Sequence, residues 1–220
     1  MERLIRTVVF DFDGTLADTK HITVEIYNEI AAAKGFRIVP PEEITAWSKL
    51  SLLERFRRAG VPLYRVPGLL AVGLRRFGEM LEQVHLFEGV PKMLNELREM
   101  GLTLGILSSN DSGYIRSVLR RHGVEDVFET MLPSSPLFGK DKALKGYRRS
   151  GGFAHGELLY VGDEQRDIAA CKKARVPIVA AAWGYDHEDL LRSESPEALL
   201  RRPEELTAWI RERKEAANKR

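Results

Sequence analysis

Val8-Val9-Phe10-Asp11-Phe12-Asp13-Gly14-Thr15-Leu16 closes an apolar run that begins at Leu4. An apolar run of this kind reads as a strand buried on both faces, as in a parallel sheet. It ends on two carboxylates one residue apart, followed by a Gly-Thr turn. Ligands of open α/β sheets bind outside the carboxyl ends of the strands, which is where these acids fall. Two acids at one strand end repel each other, and a hard cation with oxygen ligands is the natural compensation.

Working outward, further strand-like runs follow at Leu102–Leu107, Val127–Leu132, Leu158–Val161 and Ile178–Ala182. Between them, Pro91–Met100, Ser112–His122, Lys142–Ser150 and Asp167–Ala174 carry apolar residues at helical spacing. Strand–helix alternation predicts a doubly wound α/β fold, a three-layer α/β/α, Rossmann-like core around a parallel sheet. The interval from Ala17 to about His85 breaks the rhythm, with helical patterns near Thr19–Lys34, Pro41–Trp47, Ser51–Ala59 and Pro67–Val84 and no convincing strand. About 70 residues is far beyond an ordinary connection. It predicts an inserted helical cap domain over residues 17–86, with the core made of 1–16 and 87–220.

The 220 residues, 44% hydrophobic and 30% charged, suit a globular chain and exclude a disordered one. A net charge of +2 implies no nucleic-acid partner, and the basic stretch Arg211–Arg220 reads as a frayed, solvated helix end. No run is long enough to span a bilayer, so no membrane is implied. The sequence enters a strand almost at once, so no signal peptide is visible, and the lone Cys171 fits a reducing compartment. These features predict a cytoplasmic protein, monomer or homodimer. Cys171, on a helix beside Ile168 and Ala174, reads as packing, as do Trp47, Trp183 and Trp209. The five histidines share no metal-ligand spacing.

Four polar stations follow the strands in order: Asp11 to Thr15, Ser108-Ser109-Asn110-Asp111, Gly139-Lys140, and Gly162-Asp163-Glu164-Gln165-Arg166-Asp167. Singly, most of them read as a turn, a helix cap or a surface lysine. Unrelated turns have no reason to recur in this order. Together they fit phosphoryl transfer from a monoester. A carboxylate can attack phosphorus and a second acid can serve the leaving oxygen. A hydroxyl, a lysine and backbone amides can hold the phosphate, with magnesium neutralising its charge.

Asp-x-Asp-Gly-Thr, then Ser, Lys and Gly-Asp-x-x-x-Asp resembles the haloacid dehalogenase superfamily of hydrolases. The insert after the first station, Leu86-Phe87-Glu88-Gly89-Val90 and Trp183-Gly184-Tyr185 resemble its phosphoglycolate-phosphatase-like branch. The resemblance implies a Mg²⁺-dependent phosphatase acting on a small phosphorylated metabolite through an aspartyl-phosphate. It implies Asp11 as nucleophile, Asp13 as general acid/base, Ser108 on the phosphate and Lys140 paired with both. It places Gly14, Thr15, Ser109 and Asn110 at the substrate. It assigns the metal to Asp11, Asp13 (through its carbonyl) and Asp163, with Asp167, and Glu164 beside it, orienting the surrounding water. Ser109 for Ser108 and Lys142 for Lys140 stay open. So do a phosphosugar mutase, a carbon–halogen hydrolase, which needs no metal or acid, and a non-catalytic receiver-like module.

Overall fold

The computed structural model describes residues 4–135 and 138–218. The chain runs β1 (Thr7–Phe10), β2 (Ala17–Asp18), α1 (Lys20–Lys34), α2 (Ile44–Ser48), α3 (Leu52–Arg58), α4 (Val66–Glu79), β3 (His85–Leu86) and α5 (Val90–Glu99). It continues β4 (Thr103–Ser108), α6 (Ser112–Arg121), β5 (Thr130–Pro133), α7 (Lys140–Ser150), β6 (Leu158–Gly162) and α8 (Gln165–Ala174). It ends β7 (Ile178–Ala181), α9 (Glu188–Ser193), β8 (Ala198–Leu200) and α10 (Glu204–Asn218).

Six strands form one sheet in the order β5-β4-β1-β6-β7-β8, every pair parallel. β1 lies in the middle, with Val9 in register with Gly105 on one side and Tyr160 on the other. All four β1 residues are buried because both faces are covered. Alternate side chains go to opposite layers. Val8 and Phe10 pack with Met93 and Leu97 of α5, Val118 of α6 and Ile210 of α10. Val9 packs with Leu144 of α7, Ile168 and Cys171 of α8 and Leu191 of α9. The fold is therefore the doubly wound, three-layer α/β architecture that the strand–helix rhythm predicts. From β1 the chain builds outward through β4 and β5, then returns to β6 on the far side. That reversal opens a crevice at the carboxyl ends of β1 and β6.

Between β2 and β3 lie α1 to α4, joined by short 3₁₀ turns at Pro41–Glu43 and Leu63–Arg65. They enclose an apolar cluster of their own, including Val39, Trp47, Phe56, Val66 and Leu69. Ser51 starts α3 with a reciprocal capping box, its hydroxyl accepting from Glu54 N while the Glu54 carboxylate accepts from Ser51 N. Where a strand-free interval is expected, β2 and β3 pair antiparallel, Ala17 with Leu86 and Asp18 with His85. Two residues per strand leave no alternation to read.

Other boundaries shift slightly. β1 starts at Thr7 rather than Leu4, β5 occupies Thr130–Pro133, and α7 and α8 begin two residues before the periodicity suggests. β8 and α9 are additional short elements at the far edge. The basic C-terminal stretch belongs to α10, which the core anchors through Leu206 and Ile210; Lys219 and Arg220 of that stretch lie outside the described residues. Among the described residues no helix is long and apolar enough to cross a membrane.

Candidate active site

The first station is shaped by its turn. Phe12 O accepts from Leu16 N and Ala17 N, both at 2.9 Å, which folds residues 12–17 back on themselves. Gly14 takes a positive φ of 77° there, and a Cβ on it would run into the Asp163 carboxylate and the Tyr185 ring. Asp11 follows β1 directly, and its N–H donates to Val161 O of β6 at 2.9 Å. The nucleophile candidate is thereby fixed to the strand whose end delivers Asp163.

Asp11, Asp163 and Asp167 are all buried, and each brings a carboxylate oxygen within 4.8 Å of the other two. Lys140 opens α7 behind Gly139, whose φ of 101° ends the preceding loop. Its ammonium donates to Asp11 Oδ2 and, at 2.6 Å, to Asp167 Oδ1. Burial opposes the charge of Lys140, but Asp11 and Asp167 outweigh it and hold the ammonium above the ordinary lysine range. Lys142 is exposed. Of the two lysines, Lys140 is the one the fold brings to the acids.

Asp163 is held from three sides. Thr15 Oγ1 donates to its Oδ1 at 2.7 Å and Tyr185 N donates to its Oδ2 at 2.8 Å. Gly184 packs flat against it, leaving no space for a Cβ between Asp163 and Gly14 O. Thr15, expected at the substrate, thus serves Asp163 and does not line the cavity described below. Asp167 caps α8 by accepting from Glu164 N at 3.2 Å, and its neighbour Gly162 has no room for a side chain.

Burial pushes Asp11 up to about 7, with Lys140 opposing. It pushes Asp13 up to about 6, with Asn110 opposing. It also raises Asp163 well above the carboxylate range, helped by Glu164, Asp11 and Asp167. This is an acid cluster with more negative charge than its neighbours neutralise. Asn110 Nδ2 donates to Asp13 Oδ2 at 2.6 Å, while Asp13 Oδ1 is shut from solvent and has no hydrogen-bond partner among the described residues. Ser108 ends β4, buried, its Oγ accepting from Asn110 N at 3.1 Å. Among the described residues that hydroxyl donates no hydrogen bond, which leaves its proton for an anion. The surplus of buried carboxylate on Asp11, Asp163 and Asp167 suits a hard, oxygen-seeking divalent cation, and Asp13 Oδ1 is left to exchange a proton.

A cavity of about 280 Å³ opens from Asp11, Asp13, Ser109, Asn110 and Lys140 into the space between α1, α3 and α4. A family model described as haloacid dehalogenase-like hydrolase matches residues 8–181. The chain belongs to that family. This haloacid dehalogenase-like hydrolase is 33% identical over 205 residues to a protein of Synechococcus elongatus named phosphoglycolate phosphatase, covering 92% of this chain and 95% of the relative. It is 28% identical over 222 residues to a phosphoglycolate phosphatase of Xanthomonas campestris, covering 94% and 98%. In fold it is similar to the crystal structure of a predicted phosphatase from Clostridium acetobutylicum, with a TM-score of 0.80, 16% identity and coverage of 96% and 100%.

Several groups at the site of this hydrolase escape sequence reasoning. Arg55 of α3 pairs with buried Asp186, whose Oδ2 accepts from Gln165 N at 2.6 Å at the start of α8. His187 N donates to Ser48 O at 2.9 Å beside it. These contacts tie the inserted helices to the core next to the acids. Burial, with Glu164 nearby, pushes Asp186 up to about 6. Arg166 pairs with Glu164 at the cavity wall. Trp183 is more than packing, since its indole N–H donates to Thr15 O at 2.9 Å and braces the first turn.

Proposed function

We propose that this chain is a Mg²⁺-dependent phosphatase that hydrolyses a small phosphorylated metabolite through a phosphorylated Asp11. The observation that carries the reading is the convergence of Asp11, Lys140, Asp163 and Asp167 beside an Asp13 oxygen that has no partner among the described residues. Family membership and the printed names of the Synechococcus and Xanthomonas relatives support it, and they make phosphoglycolate the first substrate to assay.

In this reading the phosphate sits against the Ser108 hydroxyl and the backbone amides after β4, with the Lys140 ammonium beside it. Asp11 attacks phosphorus in line, forming a new O–P bond as the bond to the leaving alkoxide breaks. Asp13 gives that oxygen a proton. It then takes a proton from the water that attacks the aspartyl-phosphate and restores Asp11. Asn110 orients Asp13 Oδ2 and leaves Oδ1 for these transfers. Asp11, Asp163 and the Asp13 carbonyl would hold the magnesium ion, with Asp167 supporting its surroundings. When bound, the ion neutralises the phosphate and the carboxylates so that one anion can approach another. Gly14 and Thr15 act by shaping the turn and fixing Asp163. The helices of residues 17–86 act as a cap that excludes bulk water during turnover. A carbon–halogen hydrolase would leave Asp13 and Asp163 without a task, and no observation favours it.

The test is hydrolysis of p-nitrophenyl phosphate with Mg²⁺, run beside Asp11→Asn. The wild type turns over and the variant does not. Equal rates for the two proteins overturn the proposal. Asp163→Ala shifts the Mg²⁺ response to higher concentration while the protein stays folded.

A further inference from the structure

Among the described residues four cations line the cavity, and three are matched by carboxylates. Lys140 pairs with Asp11 and Asp167, Arg55 with Asp186, and Arg166 with Glu164. Lys20 differs. Its ammonium donates to one backbone carbonyl, Gly184 O at 3.1 Å, and forms no ion pair among the described residues. It is also the first residue of α1, the end of a helix that disfavours a cation. Burial and the nearby Arg55 pull its pKa down, and Asp163, Asp186 and Asp18, none of which forms an ion pair with it, do not make up the difference. The carbonyl that holds it belongs to the residue packed flat against Asp163, so the ammonium stands at the edge of the acid cluster and faces the cavity.

Resting on the phosphatase reading above, we infer that Lys20 is a specificity residue of this site, its ammonium binding a carboxylate carried by the leaving group. The remainder of the cavity wall supports a short acid over a sugar. Val24, Leu70, Leu74 and Phe77 offer no hydrogen bonds, and the hydroxyls of Thr23, Tyr27, Ser48 and Tyr185 on the same wall are already bonded within the protein, so the hydroxyls of a sugar would lose water and gain little. A carboxylate close to the ester oxygen meets the one unmatched charge instead.

The experiment compares phosphoglycolate with ethyl phosphate, which has the same two-carbon skeleton and no carboxylate. The readout is the ratio of their kcat/KM values, in which losses common to both esters cancel. The wild type prefers phosphoglycolate. Lys20→Met lowers that ratio by roughly 10-fold to 100-fold, the scale of a lost charge-assisted hydrogen bond. Lys20→Arg restores part of it. A wild-type ratio near one overturns the inference without any variant, as does a ratio that Lys20→Met leaves unchanged. Glucose 6-phosphate turned over as well as phosphoglycolate counts against it too. If wild type hydrolyses neither ester nor p-nitrophenyl phosphate, the phosphatase reading itself has failed.

Discussion

Gly184→Ala is a one-carbon change with a large expected effect. A Cβ built on Gly184 lies under 3.0 Å from Asp163 Cβ, Asp163 Oδ2 and Gly14 O. Carbon contacts relax at about 3.5–4.0 Å, so Asp163 or the Gly14 turn must move by roughly 1 Å. Neither yields cheaply. Gly14 is in a tight turn at positive φ, and Asp163 is held by Thr15 and Tyr185 N. Overpacking of this kind costs about 1–3 kcal/mol of stability. A misplacement of about 1 Å in a catalytic constellation costs on the order of 10²-fold in rate. The control is Gly105→Ala in β4. Its added carbon would meet Thr130 O at 3.4 Å and Val9 Cγ2 at 3.5 Å, ordinary contacts in an equally dry place. Thermal melts, p-nitrophenyl phosphate turnover and Mg²⁺ titration of the two variants are the assay. Gly184→Ala is expected to lose about 10²-fold in turnover and to need more Mg²⁺, and Gly105→Ala to stay close to wild type. If Gly184→Ala matches wild type in rate and metal response, Asp163 does not need its present position and the geometric argument is wrong.

Lys140→Met should abolish turnover, because Asp11 and Asp167 lose their shared cation, whereas exposed Lys142→Met should retain it; steady-state rates decide between the two lysines. Asp13 has its folded pKa raised to about 6 from 3.8 by burial. A raised carboxylate pKa gives stability that is present below the unfolded pKa and lost as pH rises through the folded one. In chelator, Asp13→Asn should therefore gain on wild type between pH 4 and 7, by up to about 3 kcal/mol in urea unfolding. A flat difference across that window contradicts the burial argument. Thr15→Val removes the hydroxyl that donates to Asp163 Oδ1 and should weaken Mg²⁺ binding by about 1.5–3 kcal/mol, read by titration. Arg55→Leu takes the ion-pair partner from buried Asp186, and should lower unfolding free energy by about 2–4 kcal/mol in denaturant titration.

The sheet is legible in the sequence because its central strands are covered on both faces. Val8 to Phe10, Leu104 to Leu107 and Leu158 to Val161 are apolar without interruption, and the polar stations begin where each run stops. β2, β3 and β8 escape because two or three residues carry no period. The choice between Lys140 and Lys142 turns on where α7 begins, and the signal was Gly139, a residue suited to the left-handed turn before a helix. Thr15 was visible as part of a motif, but its partner Asp163 lies 148 positions away. Arg55 and Asp186 are 131 positions apart and carry no spacing rule at all. Lys20 could have been noticed as a cation at the wrong end of a helix, though nothing in the sequence shows the cavity it faces.

The little ribbon of β2 and β3 has a lasting implication. Because Ala17 sits across from Leu86, the segment between them leaves and re-enters the main body at a single doorway. Changes of length within that segment need not pass through a rung of the main sheet, provided the pair of Arg55 with Asp186 and the packing of Ile22, Ile26 and Phe77 on the core are kept. Residues inside the insert can thus change while the strand ends that carry the acids are inherited intact.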